Sequence, residues 1–160
     1  MPNIDVDVTN GSVLNREVTE DEVLICISKL KSNKAAGIDN ITNEYIKSSQ
    51  HLLCPFYVKL FNKVLNTGYI PQDWLVGIIV PIYKEVGDVN DPNNYRGFTL
   101  LSCMGKLFTS LLNTRLTESC NNNKVIEEMQ AGFRAGYSTA DHVFVLKNLI
   151  DLFYYKKKKL

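Results

Sequence analysis

The sequence is short of nearly everything that would assign a chemistry by composition. Its four cysteines, Cys26, Cys54, Cys103 and Cys120, stand far apart with no CxxC pair, and its two histidines, His51 and His142, are equally scattered. Neither a zinc-ligand spacing nor a disulfide framework can be built from them, which favours a reducing compartment. No apolar run approaches the roughly 18 residues that a bilayer span needs, and the start, MPNIDVDVTNG, has neither the cationic nor the apolar region of a secretory leader. The expectation is an intracellular chain, cytoplasmic or nuclear, without a membrane partner. Global charge is missing as well: 18 Lys and Arg against 17 Asp and Glu leave +1, so no overall basic field announces a nucleic acid. There is no internal repeat.

What is present is about one domain's worth of ordinary globular sequence, 160 residues and 45% hydrophobic. Charge is arranged in blocks. Asp5, Asp7, Glu17, Glu20, Asp21 and Glu22 face a single Arg16 in the first 22 residues, and Lys156, Lys157, Lys158 and Lys159 stand in a row near the end. The expected organisation is an acidic, extended lead-in over 1–17 followed by one domain over 18–160. Thr19 and Glu22 have the spacing of a capping box, with Val18 and Val23 placed as a hydrophobic staple. A helix follows to about Lys31, with Val23, Leu24, Ile27 and Leu30 as its apolar stripe. SNKAAGIDN reads as a plain connector. A short helix is expected over Thr42 to about Ser49, and a second over Leu53 to Asn66, with Pro55 in its first turn and Gly68 as its stop.

The segment Ile78 to Ser102, IIVPIYKEVGDVNDPNNYRGFTLLS, carries the first candidate site. Ile78, Ile79 and Val80 read as a buried strand, and Gly87-Asp88, Asp91-Pro92 and Asn93-Asn94 as turns. Lys84 leaves the strand and Arg96 returns, so pairing of the two arms would put both cations near one mouth. A planar donor fork beside a compact ammonium suits a polyphosphate or a nucleic-acid backbone; on spacing alone, two solvated loop cations would look the same. A helix then starts at Ser102 or Cys103, with Leu107, Phe108, Leu111, Leu112 and Leu116 expected to face a core. The second candidate is QAGFRAGYST, Gln130 to Thr139, which joins Gly132 and Gly136 to Phe133, Arg134 and Tyr137. It offers open backbone, a cation and stacking faces to a nucleic-acid strand. Ser138 or Thr139 caps a last helix whose buried face is expected to be Val143, Leu146, Leu149, Ile150 and Phe153.

Taken in order, KSNKAAGIDNITNEYIK, GYIPQDWLVGIIVPIYKEVGD, NDPNNYRGFTLLSCMGKLFTSLLNTRL and QAGFRAGYSTADHVFVLKNLID resemble the amino-terminal part of the reverse transcriptase domain of non-LTR (LINE-type) retrotransposons. The resemblance covers roughly Glu17 to Leu160. It implies an α+β, helix-rich fold that is part of a right-hand polymerase, the fingers plus the first part of the palm, truncated before the catalytic strands. It also implies RNA-templated DNA synthesis in which carboxylates of the complete enzyme hold two Mg²⁺ ions. The family's metal-binding positions, a strand aspartate and a later YADD- or FADD-type turn, have no match here. Asp39, Asp88 and Asp91 match none of them, so the resemblance assigns this chain no catalytic and no metal-binding residue.

By the same resemblance, Lys84 and Arg96 match positions that approach the incoming nucleotide's triphosphate. Gly132, Phe133, Arg134, Gly136, Ser138 and Thr139 match a block near the template and primer strands. KAAGID stands where KAPGPD is usual, and NYRGFT where an RPIS-type sequence is usual, with the charged positions kept. The implied partners are an RNA template, a DNA primer, a dNTP and the remainder of the polymerase chain. Two other readings share these residues: a non-catalytic nucleic-acid-binding or assembly module, and a decayed remnant without function.

Overall fold

The computed structural model describes residues 14–127, 129–134 and 136–156. Asp5 and Asp7 of the acidic lead-in, Ala135 of the second candidate site and Lys157, Lys158 and Lys159 of the terminal run lie outside the described residues. The elements follow in the order α1 (Glu20–Ser28), α2 (Asn43–Thr67), α3 (Gln72–Leu75), β1 (Ile78–Tyr83), β2 (Tyr95–Leu100), α4 (Cys103–Asn122) and α5 (Thr139–Tyr155). The fold is α+β and helix-rich, with β1 and β2 forming a two-stranded antiparallel sheet. The chain forms two compact units, Met1–Ser119 and Cys120–Leu160.

Local sequence signals start the helices. The Thr19 side chain accepts from the Glu22 backbone N–H while the Glu22 carboxylate accepts from the Thr19 N–H, the reciprocal box expected from the spacing. Val18 and Val23, the staple pair, are both buried. α1 ends at Ser28, short of the lysines, and buries Val23, Cys26 and Ile27 while Leu24 stays at the surface. The two helices expected over 42–49 and 53–66 are one, capped by the Thr42 side chain and closed by Gly68 in the left-handed conformation at φ 68. Pro55 therefore sits in a helix interior, where a proline costs about 3 kcal/mol. The cost is offset because Ile46, Cys54, Phe61 and Val64 lie on one continuous buried face, at roughly 1.5–3 kcal/mol for each large apolar side chain removed from water. Phe56, which the helical spacing of Leu53, Phe56, Leu60, Phe61, Val64 and Leu65 would put in the core, is exposed instead.

The core of the first unit lies between α1, α2 and α4. Phe61, Trp74 and Phe108 pack as a ring triad, with centroids 5.3 to 6.2 Å apart, and this triad holds the single turn α3 against both long helices. Leu107, Phe108 and Leu111 are buried and Leu112 partly so, as the apolar period predicts, but Leu116 is exposed. The position one turn past Leu111 is Arg115, and it is 1% exposed.

All five N–H groups of Arg115 have acceptors. Nε and Nη2 donate to the two Glu22 carboxylate oxygens at 3.0 and 2.8 Å, and Nη2 also donates to the Glu17 carbonyl at 3.0 Å. Nη1 donates to the carbonyls of Arg16 and Leu14 at 2.6 and 3.4 Å. A buried charge is tolerated only when paired and fully hydrogen-bonded, and here both conditions are met. The neighbouring Val18 backbone is held by Asn62 of α2, whose amide donates to the Val18 carbonyl and accepts from its N–H.

The connector between α1 and α2 is more than a plain link. Gly37 is buried against the β2–α4 junction, and a Cβ there would lie 2.5 Å from the Ser102 nitrogen and 2.6 Å from the Leu101 carbonyl carbon. Two residues on, the Asp39 carboxylate accepts from the fully buried Ser102 hydroxyl at 2.6 Å and from the Ile41 N–H at 3.2 Å. Ser102 Oγ in turn accepts from the Gly105 N–H at 3.2 Å, which caps α4.

The strand pair departs most from expectation. Ile78, Ile79 and Val80 were expected to be buried, yet they are 42%, 70% and 40% exposed. No described layer of the first unit covers either face of the hairpin. α5 likewise leaves Val143, Leu146, Leu149 and Ile150 exposed and Phe153 only half-buried. The apolar residues fall in a strand and in a helix as the pattern predicts, but the burial expected of them is not seen among the described residues.

Hydrogen bonds from Arg115, opposed by burial and aided by the Thr19 N–H and Arg16, hold Glu22 at about 2, down from 4.5. The folded value lies below the unfolded one, so the stabilisation is complete above pH 4.5 and is lost as pH falls toward 2. Glu22→Gln should therefore cost about 3–5 kcal/mol near neutral pH, because Arg115 is left buried without its counter-charge. Its stability should also change less than the parent's across that acid window. Urea titrations of both chains at several pH values check this, and parallel pH profiles would remove Glu22 from the linkage. Gly37→Ala should cost about 1–3 kcal/mol, since backbone atoms must move to admit the methyl; an unchanged urea midpoint would show that the contact is not tight in solution.

Candidate functional site

The hairpin is built so that its two cations share a face. Its register pairs Ile82 with Arg96 and Tyr83 with Tyr95, and the Lys84 N–H extends the ladder by bonding the Asn94 carbonyl at 2.8 Å. Side chains alternate along a strand, so Lys84 projects on the same side as Ile82 and hence as Arg96. As diagonal neighbours their backbones are about 7–8 Å apart. Both residues are exposed. One Lys84 Nζ donor is used on the Asn93 carbonyl at 2.8 Å, and an ammonium has two more.

The turn that joins the strands is fixed by its own polar atoms. Asp88 and Asp91 each accept, through one carboxylate oxygen, from the backbone N–H two residues on and from the amide of that same asparagine. The Asn94 amide donates to the Asp88 carbonyl at 2.8 Å. Tyr83 and Tyr95 pair their rings at 5.4 Å, and their hydroxyls donate to the Gly87 and Val89 carbonyls at 2.5 and 2.9 Å. Gly87 stands at φ 84, where a Cβ would also strike the Asn94 side chain. The loop acids are thus occupied in shaping the turn that presents the cations.

In the second unit, the QAGFRAGYST residues divide by role. Ser138 caps α5: its hydroxyl accepts from the Ala140 N–H, and the Asp141 carboxylate accepts from the Ser138 N–H at 2.8 Å. Thr139 is the first residue of that helix. Arg134 donates to the Glu127 carbonyl at 3.0 Å, and its guanidinium lies 4.1 Å from the centre of the Tyr137 ring. Phe133 is fully exposed at φ 61, Gly136 adopts φ 82, and a Cβ on Gly132 or Gly136 would meet nothing within 4 Å. What remains open to a ligand is one aromatic face and bare backbone, with the arginine already engaged locally.

The Mg²⁺ implied for the complete family enzyme does not fit the residues described here. Among them no group of three or more His, Cys, Asp or Glu side chains converges so as to hold a metal ion. No helix of the described residues is long and apolar enough to cross a membrane. The sequence places Ser102 at a helix start and Gly37 in a connector, but not the contact between them. Arg115 was not anticipated, although it leaves a sequence signal, a cation on the i+4 row that continues Leu107 and Leu111.

No protein-family model matches the chain. It is 33% identical over 131 residues to the RNA-directed DNA polymerase from mobile element jockey of Drosophila melanogaster, which covers 82% of this chain. It is 31% identical over 131 residues to the protein of the same name from Drosophila funebris. It is also 28% identical over 122 residues to a retrovirus-related Pol polyprotein from type-1 retrotransposable element R1 of Bradysia coprophila, over 76% of this chain. The chain spans only 14%, 14% and 12% of these three relatives' lengths. Most of the chain's length is thus homologous to RNA-directed DNA polymerases of non-LTR retrotransposons, and it aligns with one segment of them.

Proposed function

We propose that this chain is the nucleotide- and template-gripping segment of an RNA-directed DNA polymerase, comprising the fingers and the first part of the palm of a right-hand fold. The observation that carries the reading is the hairpin register, which gives Lys84 and Arg96 one exposed face beside a self-braced turn. A triphosphate presents clustered non-bridging oxygens. The Arg96 fork can donate two parallel hydrogen bonds to them, while Lys84 adds a compact charge with two remaining donors. Both would stabilise negative charge that builds on the departing phosphates as the primer is extended.

Phe133 and the open backbone at Gly132 and Gly136 would serve the strands, by stacking and by close approach to phosphates. Ser138 and Thr139 would place that loop by anchoring it to α5. RNA template, DNA primer and dNTP are the partners of the longer protein. Its Mg²⁺ is assigned to carboxylates outside the residues described here, and polymerisation as a whole is assigned to that longer protein.

In a polymerase that contains this segment, Arg96→Lys should raise the KM for dNTP about tenfold, the effect of losing one charge-assisted hydrogen bond. Primer extension on an RNA template at varied dNTP concentration measures it. A KM equal to the parent's would take Arg96 away from the triphosphate.

A further inference from the structure

The hairpin's side-chain hydrogen bonds among the described residues stay inside it, and both of its faces are bare. Its direction relative to the helices is therefore set at its two stems. The β1 stem follows α3, which is pinned by Trp74 in the aromatic triad. The β2 stem is Leu101–Ser102, and a loop more than 60 residues away in sequence clamps it. Ser102 is wholly buried and its hydroxyl donates a hydrogen bond to the Asp39 carboxylate at 2.6 Å, the short distance of a charge-assisted bond. Gly37 lies against the same peptide with no room for a side chain.

The clamp is itself anchored to α2. Asn43 donates to the Lys31 carbonyl at 2.8 Å, and Glu44 accepts from the Asn33 N–H at 2.5 Å, so the first part of the loop is tied back to the start of α2, where the loop ends. The second Asp39 oxygen accepts from the Ile41 N–H, which fixes the carboxylate in place.

We propose that Asp39 is a positioning residue for nucleotide binding: by holding the Ser102 hydroxyl it sets the angle at which the β1–β2 hairpin presents Lys84 and Arg96. The inference rests on the reading of that hairpin as the nucleotide grip. Leverage gives it weight. Six residue steps separate Ser102 from Arg96, about 20 Å at the usual rise of extended chain, so a swing of about 10° at the stem moves Arg96 by about 3.5 Å. Displacements smaller than that already spoil a positioned contact.

The test uses a longer polymerase that contains this segment, with primer extension on an RNA template and kcat normalised to titrated active sites. Asp39→Ala and Ser102→Ala should each raise the KM for dNTP about tenfold, since each removes the same charge-assisted bond. The double variant should be no worse than either single one, and affinity for the primer–template duplex should be unchanged. Asp39→Asn keeps an acceptor oxygen and should recover most of the parent KM, which also keeps the test informative if the alanine variants fold poorly. A purely structural role would lower the active fraction and leave KM untouched. If Arg96→Ala raises KM while the Asp39 and Ser102 variants do not, the positioning role is wrong and the hairpin reading stands. If Arg96→Ala leaves KM unchanged, the hairpin reading fails and the inference falls with it.

Discussion

The first unit depends on one buried guanidinium. Arg115 donates to a carboxylate on α1 and to three carbonyls of the segment that leads into it, so a single side chain of α4 organises the first nine described residues. The same Glu22 carboxylate closes the capping box of α1 and accepts from Arg16. Helix initiation and tertiary docking thus use one group. Replacing the pair with apolar residues of similar volume need not be costly, but the carbonyls of Leu14, Arg16 and Glu17 would then lose their donors. The network is better understood as a way of satisfying an entering backbone strand than as a source of net ion-pair energy.

How far this was legible in the sequence follows the range of the interactions. Thr19 with Glu22 and Ser138 with Asp141 sit three residues apart, and both boxes form. Gly68 ends α2, and the turn residues between Lys84 and Arg96 build the hairpin. Contacts of long separation were not visible: Glu22 meets Arg115 across 93 residues and Asp39 meets Ser102 across 63. Pro55 misled because a breaker rule carries no knowledge of the apolar face continuing on both sides of it. Ile79 misled for the opposite reason. Residue type reports that a surface wants cover, not whether the cover is there.

The candidate site shows the same division. Register and pleat bring Lys84 and Arg96 to one side, which a reading of paired arms anticipates. That Arg134 is held by the Glu127 carbonyl and the Tyr137 ring could not be read from a list of residue types, whereas the Ser138 cap, which occupies that hydroxyl, could. The loop that looked richest in ligand chemistry therefore has less to offer than its composition suggests, while the connector that looked plain clamps the stem of the cation-bearing hairpin.

Pro81 lies in the middle of β1, opposite Gly97. Because the Lys84 N–H bonds inward to Asn94, strand parity turns the amides of residues 79, 81 and 83 toward the outer edge. The proline thus removes its missing donor from the outward row and leaves the ladder to β2 complete. The unpaired outer edge of a two-stranded hairpin is a template on which another chain could add a strand. One imino acid at the centre of that edge interrupts the hydrogen-bonding row and still allows the arm to stand out from the body.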